Sequence, residues 1–229
     1  MIEIAHCAEQ GSQFGLCVFV GMRRRTVIMC SRYFVDDQTK QEIERLLACL
    51  NKTQCMDDTR LPWFSAKDMH PADEAVVIRA SKRGIVCDLQ KWGLPGFQQN
   101  QLLINARSET VTQKSVFREG ILKRRIVVPA TGFYEWNKNK EKNVFRRPDG
   151  HAIFMAGFCE RYEDGEHFVI LTTDANHSMR PVHDRMPLIL EESDIPIWLL
   201  DDKRMGTFLQ KVPAELERNS DYEQLSFFV

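Results

Sequence analysis

The chain has 229 residues, 43% of them hydrophobic and 28% charged, with a formal net charge of −1. Those values belong to an ordinary soluble protein that can bury a real core, as one domain or one domain with a short appendage. They exclude a global basic field, so any nucleic-acid partner must be met by a local patch.

Seven cysteines (Cys7, Cys17, Cys30, Cys49, Cys55, Cys87 and Cys159) form an odd set without paired C-x-x-C spacing. That pattern argues against a zinc ribbon and a disulfide scaffold and fits a reducing cytosol. No metal, no cofactor and no membrane association is expected, and a cytoplasmic monomer is the simplest reading.

Residues 1–28 have no clear fold role. Phe14–Met22 is apolar but only about half as long as a membrane span requires. Arg23-Arg24-Arg25 follows it, whereas a secretory signal carries its charge in front. The segment reads as an ordered appendage, a propeptide or a misassigned start. The last is favoured, because two of the three arginines, if encoded AGG-AGG, make a ribosome-binding sequence a few codons ahead of Met29. The domain proper is expected to span residues 29–229.

From Asp36 the pattern turns helical. Ile43, Leu46, Leu47 and Leu50 follow i, i+3, i+4, i+7 spacing, behind Asp36-Asp37 and before Asn51. Asn51–Pro71 is polar and punctuated by proline and aromatics, which predicts a loop. Ala75–Ala80 and Gly84–Leu89 read as strands, and Trp92-Gly93-Leu94-Pro95-Gly96 as a turn-rich loop. Thr110 and Gln113 form a capping box for a helix through Val111, Phe117 and Ile121. Arg125–Pro129 is a strand, with Gly132-Phe133-Tyr134-Glu135-Trp136 directly behind it. Lys138–Lys142 is a charged hairpin tip, and Glu163-Asp164-Gly165 marks a second hairpin between Ala152–Cys159 and Phe168–Thr173. Ser193 begins a short helix with Pro196 in its first turn. Hairpins with inserted helices predict an α+β fold around a curved, largely antiparallel, barrel-like sheet.

Chemistry concentrates in a few segments. Cys30 directly follows Met29, so synthesis begun at Met29, with that methionine trimmed, leaves cysteine as the first residue. Its α-amine (pKa about 7.7–8.0) and thiol (about 8.5) then form a 1,2-aminothiol. Such a group condenses with an aldehyde to a five-membered thiazolidine, which no internal cysteine does. Asn105 to Thr110 follows an apolar run, Glu135 lies between two aromatics, Thr172-Thr173 ends a strand, and His183-Asp184-Arg185 follows a turn. Singly, each is ordinary: a structural thiol, a cap, a strand residue facing water, a surface ion pair.

Together and in this order they are specific. Met29-Cys30-Ser31-Arg32-Tyr33, Trp92-Gly93-Leu94-Pro95, Asn105-Ala106-Arg107-Ser108-Glu109-Thr110, the run Pro129 to Trp136, and His183-Asp184-Arg185-Met186-Pro187 resemble the SOS-response-associated peptidase (SRAP) family. The resemblance covers Met29 to about Leu200. It implies a protein that recognises abasic sites in single-stranded DNA, crosslinks to them, and associates with the nucleoid when bound to damage. By position, Cys30 matches the crosslinking cysteine, Asn105 the asparagine that holds its amine, Glu135 the catalytic glutamate, and Thr172 and His183 the remaining active-site pair. Arg32, Arg107, Trp136 and Arg185 match DNA contacts, and Trp92 and Pro71 are carried over as further ones. Two departures stand out: Ser31 replaces a common glycine, and Asp68-Met69-His70-Pro71 replaces the frequent Asn-x-x-Pro.

The chemistry of these residues agrees with that resemblance. The open form of an abasic deoxyribose exposes an aldehyde at C1′, which the Cys30 amine attacks to give a Schiff base. A carboxyl packed between aromatics suits the proton transfers, so Glu135 is the candidate acid/base, and His183 the group that polarises the sugar oxygen. β-Elimination, a lyase activity, is the expected side path. Two rival readings come from other classes: a cysteine peptidase or self-processing hydrolase using Cys30 and His183, and a non-enzymatic nucleic-acid-binding module.

Overall fold

The computed structural model describes residues 31–50, 66–96, 98 and 101–220. A short strand, β1 (Arg32–Val35), leads straight into helix α1 (Asp37–Leu50). Asp36 caps this helix, its Oδ1 accepting the Thr39 N–H at 2.9 Å. The expected stripe is the buried face: Ile43, Leu46 and Leu47. The predicted Asn51–Pro71 loop lies outside the described residues as far as residue 65, and its remainder contains a strand, β2 (Lys67–Met69). A turn over residues 70–73 follows, closed by the Asp73 N–H on the His70 carbonyl at 3.0 Å. Pro71 takes its second position and Ala72, at φ 74°, its third, the pattern of a type II turn. The two expected strands are β3 (Glu74–Ser81) and β4 (Gly84–Trp92), paired as a hairpin. The stretch predicted as loop instead forms a two-residue strand, β5 (Leu94–Pro95), against β6 (Leu102–Leu103), followed by β7 (Asn105–Arg107).

Helix α2 (Ser115–Lys123) begins later than the Thr110 capping box predicts, and its N-cap, Lys114, makes no side-chain cap bond. The reason is competition. The Thr110 N–H already bonds the Arg107 carbonyl at 3.2 Å, and Gln113 N–H bonds the Thr110 carbonyl at 3.0 Å, so residues 107–113 are held as turns. Then come β8 (Arg125–Ala130), β9 (Gly132–Trp136) and β10 (Lys142–Arg146), with the predicted hairpin tip between the last two. β11 (Ile153–Tyr162) and β12 (Gly165–Asp174) form the second predicted hairpin. Two short strands, β13 (Arg185–Pro187) and β14 (Ile189–Leu190), precede a single 3-10 turn, α3 (Ile195–Leu200) with its early proline, α4 (Met205–Phe208), and β15 (Glu217–Ser220).

β12, β4, β3, β8 and β11 pair in sequence, and β11 pairs again with β12, which closes a five-stranded barrel. Pairing is antiparallel throughout, except that β12 runs parallel to β4 and β7. Side chains on these strands alternate between two buried sets, so both faces must be covered. Phe154, Ala156, Phe158, Val169 and Leu171 pack with Ile43, Phe117, Trp198 and Phe208 under the helices. Met155, Ile153, Phe168, Ile170, Val128 and Trp92 form the opposite, interior set. A second sheet, ordered β15-β10-β9-β1-β2, joins that interior through Tyr33, Phe133 and Phe145. The expected α+β architecture with a curved, largely antiparallel, barrel-like core is what the chain adopts.

Candidate active site

The site is assembled on β12. Its parallel neighbour β7 sets Asn105 opposite Ile170 and Arg107 opposite Thr172, while antiparallel β13 sets Pro187 opposite Thr172 and Arg185 opposite Asp174. Three sequence-distant segments thus meet on one strand end. Ala106 and Leu171 belong to the helix-side set, so Asn105, Arg107 and Thr172 face the interior side with Ile170. Thr172 is buried and its Oγ1 lies 3.5 Å from the Ala106 carbonyl, Asn105 is half-buried, and Arg107 is exposed.

Glu135 arrives from the other sheet. It shares the inward face of β9 with Phe133, is 3% exposed, and stands opposite the equally buried Asn143 of β10. The sequence pattern of a carboxyl between aromatics is therefore a carboxyl turned inward while Tyr134 and Trp136 turn outward. Because β1 runs antiparallel to β9, with Arg32 opposite Tyr134, its N-terminal end lies beside the Glu135 end of β9. Cys30 itself lies outside the described residues.

His183 is nearly buried, with 12% of its side chain exposed. The Arg185 backbone N–H points at its Nδ1 from 3.0 Å. A backbone donor cannot reverse its role, so the neutral ring accepts at Nδ1 and carries its proton on Nε2. Burial pushes the imidazole pKa below its ordinary 6.5, against the upward pull of the Asp184 carboxylate, 2.9 Å from Nδ1 but 88% exposed. At neutral pH the ring is thus neutral, and the Arg185 N–H favours the tautomer with its proton on Nε2, while the exposed Asp184 carboxylate opposes it.

The Arg185 guanidinium is engaged inside the protein: Glu109 clamps it bidentately at 2.7 and 2.9 Å, Asp174 binds Nη1 at 2.5 Å, and Nη2 donates to the Thr172 carbonyl at 2.7 Å. Arg185, expected as a phosphate contact, here braces β7, β12 and β13 together. Trp92 is also corrected. It is fully buried, packs between Tyr33 and Phe168, and donates its indole N–H to the Ile104 carbonyl at 3.1 Å, so it is core and no base reaches it. Pro71 is the corner of the turn described above. Arg32 pairs with Asp68 and lies over the Tyr134 ring, whose hydroxyl also donates to Asp68 at 3.1 Å. Asp68 therefore holds Arg32 against the outward ring of Tyr134.

The residues that sequence reading passed over are Glu109 and Asp174, which set the state of Arg185, and Asn143 opposite Glu135. Glu109 stands inside the Asn105–Thr110 motif and was given no role. Cys87 and Cys159 are no candidates for nucleophiles, since burial raises both thiol pKa values to about 12. Among the described residues no group of three or more His, Cys, Asp or Glu is placed to hold a metal ion. No helix among them is long and apolar enough to cross a membrane.

The family model described as SOS response associated peptidase (SRAP) matches residues 29–225. The chain belongs to the SRAP family. Among curated relatives, the abasic site processing protein YoaM of Bacillus subtilis is 33% identical over 136 residues, covering 53% of this chain and 60% of that protein. The abasic site processing protein YedK of Escherichia coli is 29% identical over 180 residues, covering 75% and 79%. HMCES of Xenopus tropicalis, of the same description, is 32% identical over 123 residues, covering 42% and 37%. The chain thus spans about three fifths of the length of the Bacillus relative. A crystal structure of a Bordetella bronchiseptica protein shares the fold with a TM-score of 0.67 at 24% identity, over 83% of this chain and 99% of that one. One from Bacteroides thetaiotaomicron gives 0.57 at 26% identity, over 67% and 76%.

Proposed function

We propose that this SRAP-family chain processes abasic sites in single-stranded DNA by forming a thiazolidine through Cys30, once residues 1–29 have been lost. The observation that carries the reading is that Asn105 and Thr172 share the interior side of β7 and β12 with Ile170, while buried Glu135 shares the inward face of β9 with Phe133, and Ile170 and Phe133 belong to one buried cluster. The family match beginning at Met29, and relatives named for abasic-site processing, support it.

In the proposed reaction the Cys30 amine adds to the C1′ aldehyde, giving a carbinolamine. Glu135 delivers a proton to the departing hydroxyl, which leaves as water, and recovers one from nitrogen, giving the imine. The thiol then adds across the C=N bond, its proton passing to nitrogen, and closes the ring. Asn105 holds the amine. His183, neutral with its proton on Nε2, donates a hydrogen bond to the sugar oxygen and favours the open aldehyde. Arg107, exposed at the rim, binds phosphate, and Trp136 stacks on a base. Deprotonation at C2′ of the imine diverts the intermediate to strand cleavage, the lyase path.

The test incubates an abasic single-stranded oligonucleotide with protein begun at Met29 and with the 229-residue form, and looks for a band resistant to denaturation. The first is expected to crosslink and the second, its Cys30 nitrogen acylated, is not. Equal yields from both, with the leader shown intact by mass spectrometry, overturn the mechanism. Cys30→Ser keeps the amine and should leave only a borohydride-trappable imine. Glu135→Gln should slow crosslinking by about 10²-fold.

A further inference from the structure

We propose that the outward face of β9, β1 and β10, with the hairpin that joins β9 to β10, extends the track for single-stranded DNA beyond Trp136, the base-stacking residue it shares with the reading above. This inference rests on the single-stranded DNA reading above and extends it to Tyr134, Phe34 and the hairpin lysines, which that reading leaves unused.

Alternation along β9 turns Phe133 and Glu135 inward, so Tyr134 and Trp136 project outward, their ring centroids 6.4 Å apart. Phe34 lies on the same outward face, 5.1 Å from Tyr134. Its ring is close to Gly132, where a Cβ would come within 2.8 Å of Phe34, so the glycine makes room for a flat-lying phenyl group. None of the three rings is fully buried. Cations are set against them: the Arg146 guanidinium is 5.0 Å from the Phe34 centroid, and the Lys142 ammonium 5.4 Å from that of Tyr134. Rings for bases with cations between them are what a sequence-tolerant single-strand platform requires.

The hairpin tip extends this face beyond Trp136. Asn137 braces it, its Oδ1 accepting the N–H groups of Asn139 and Glu141 at 2.9 and 3.0 Å. Lys138 and Lys140 are thereby presented, exposed, on a braced loop. Lys140 holds φ 65°, a left-handed conformation that glycine or asparagine adopts at lower cost, so the loop carries a cation at a strained position. The nearby carboxylates are mostly occupied. Asp68 serves Arg32 and Tyr134, and Glu141 accepts from the Asn137 amide at 2.5 Å. Glu217 stands opposite Arg146 in register. The exposed balance is positive, which suits a phosphate chain, and the row of rings beside it suits the bases of a strand better than an acidic protein face.

The test uses undamaged single-stranded oligonucleotide, so Cys30 chemistry plays no part, and follows fluorescence anisotropy across a salt series. Each phosphate contact contributes about 0.7 to the slope of log K against log salt. Lys138→Gln with Lys140→Gly should therefore flatten the slope by about 1.4. The glycine suits φ 65°, so a loss of binding cannot be put down to a damaged turn. Phe34→Leu should weaken binding about fivefold or more and leave the slope unchanged. If the lysine variant keeps the parental slope while Arg107→Ala flattens it, the track is refuted and the DNA reading survives. Absence of single-strand binding by the parent protein sinks both. A parent dimer that these substitutions dissociate, with DNA affinity unaltered, assigns the face to a second copy of the chain and overturns the proposal.

Discussion

Replacing Glu109 by glutamine tests whether Arg185 is a brace or a DNA contact. Arg185 makes four hydrogen bonds through its two terminal nitrogens, two to Glu109, one to Asp174 and one to the Thr172 carbonyl. Glutamine is isosteric but offers one acceptor and one amide, and the amide opposes a guanidinium N–H. One charge-assisted bond is lost and one contact becomes donor against donor. Such bonds contribute roughly 1.5–3 kcal/mol when well shielded. Here the Glu109 side chain is 41% exposed, and solvent screening brings the expected cost to about 1 kcal/mol. For a domain of this size that is a fall in Tm of about 2–4 °C.

The brace also bears on His183. The Arg185 N–H fixes its Nδ1 as acceptor, and loosening residues 183–185 should let both neutral tautomers appear. Nitrogen-15 NMR of the imidazole reads this directly, and Glu109→Asp, which restores the charge, should recover part of the signal. The opposite outcome is equally readable. If Arg185 is a phosphate contact, removing its carboxylate competitor should strengthen single-strand binding and steepen the salt slope. That result, with Tm and tautomer unchanged, refutes the brace.

Three further outcomes follow from the geometry. Lowering the pH from 7 toward 5 should destabilise the fold through His183: its folded pKa lies below 6.5, the unfolded state binds more protons in that window, and stability is lost as pH falls from 6.5 through the folded value. Urea midpoints against pH should show this, with a shallower loss in His183→Gln; identical profiles count against a buried imidazole. Gly157→Ala should cost about 1–3 kcal/mol in a urea melt, because its Cβ would sit 2.5 Å from the Val169 carbonyl of β12, and an unchanged midpoint would show that the barrel yields there. Arg125→Met should cost about 2–4 kcal/mol: the buried guanidinium bonds the carbonyls of Trp198, Ile121 and Leu122, and its loss leaves these groups without a donor. A shift under about 2 °C in Tm would show that water replaces it.

What the sequence disclosed depended on range. Helix α1 and the β11–β12 hairpin rest on periodicity and turn chemistry within a dozen residues, and both lie where that chemistry puts them. Over residues 107–113 the capping box visible in sequence loses to backbone turns that occupy the same groups. The parallel pairing of β7 with β12 leaves no local mark, since its partners are more than sixty positions apart. Trp92 shows the same blindness from the other side: an aromatic in a glycine–proline stretch looks like a surface loop residue until β12 and β1 close over it.

The arginines make the physical point most sharply. Arg107 and Arg185 both stand in polar motifs after apolar runs, and nothing in their immediate neighbours separates them. In the fold Arg107 is exposed at the rim, whereas Arg185 meets a carboxylate 76 positions away and another 11 positions away. A guanidinium cannot lose its charge, so its role is decided by which anions reach it first. Where the protein supplies two carboxylates and a carbonyl, the arginine becomes part of the scaffold. Where it supplies none, the cation remains for a phosphate. The same argument separates Arg32, held by Asp68, from Lys138 and Lys140 on the hairpin tip. The affinity of this chain for a nucleic-acid strand should therefore be set less by how many cations its motifs contain than by where its carboxylates lie.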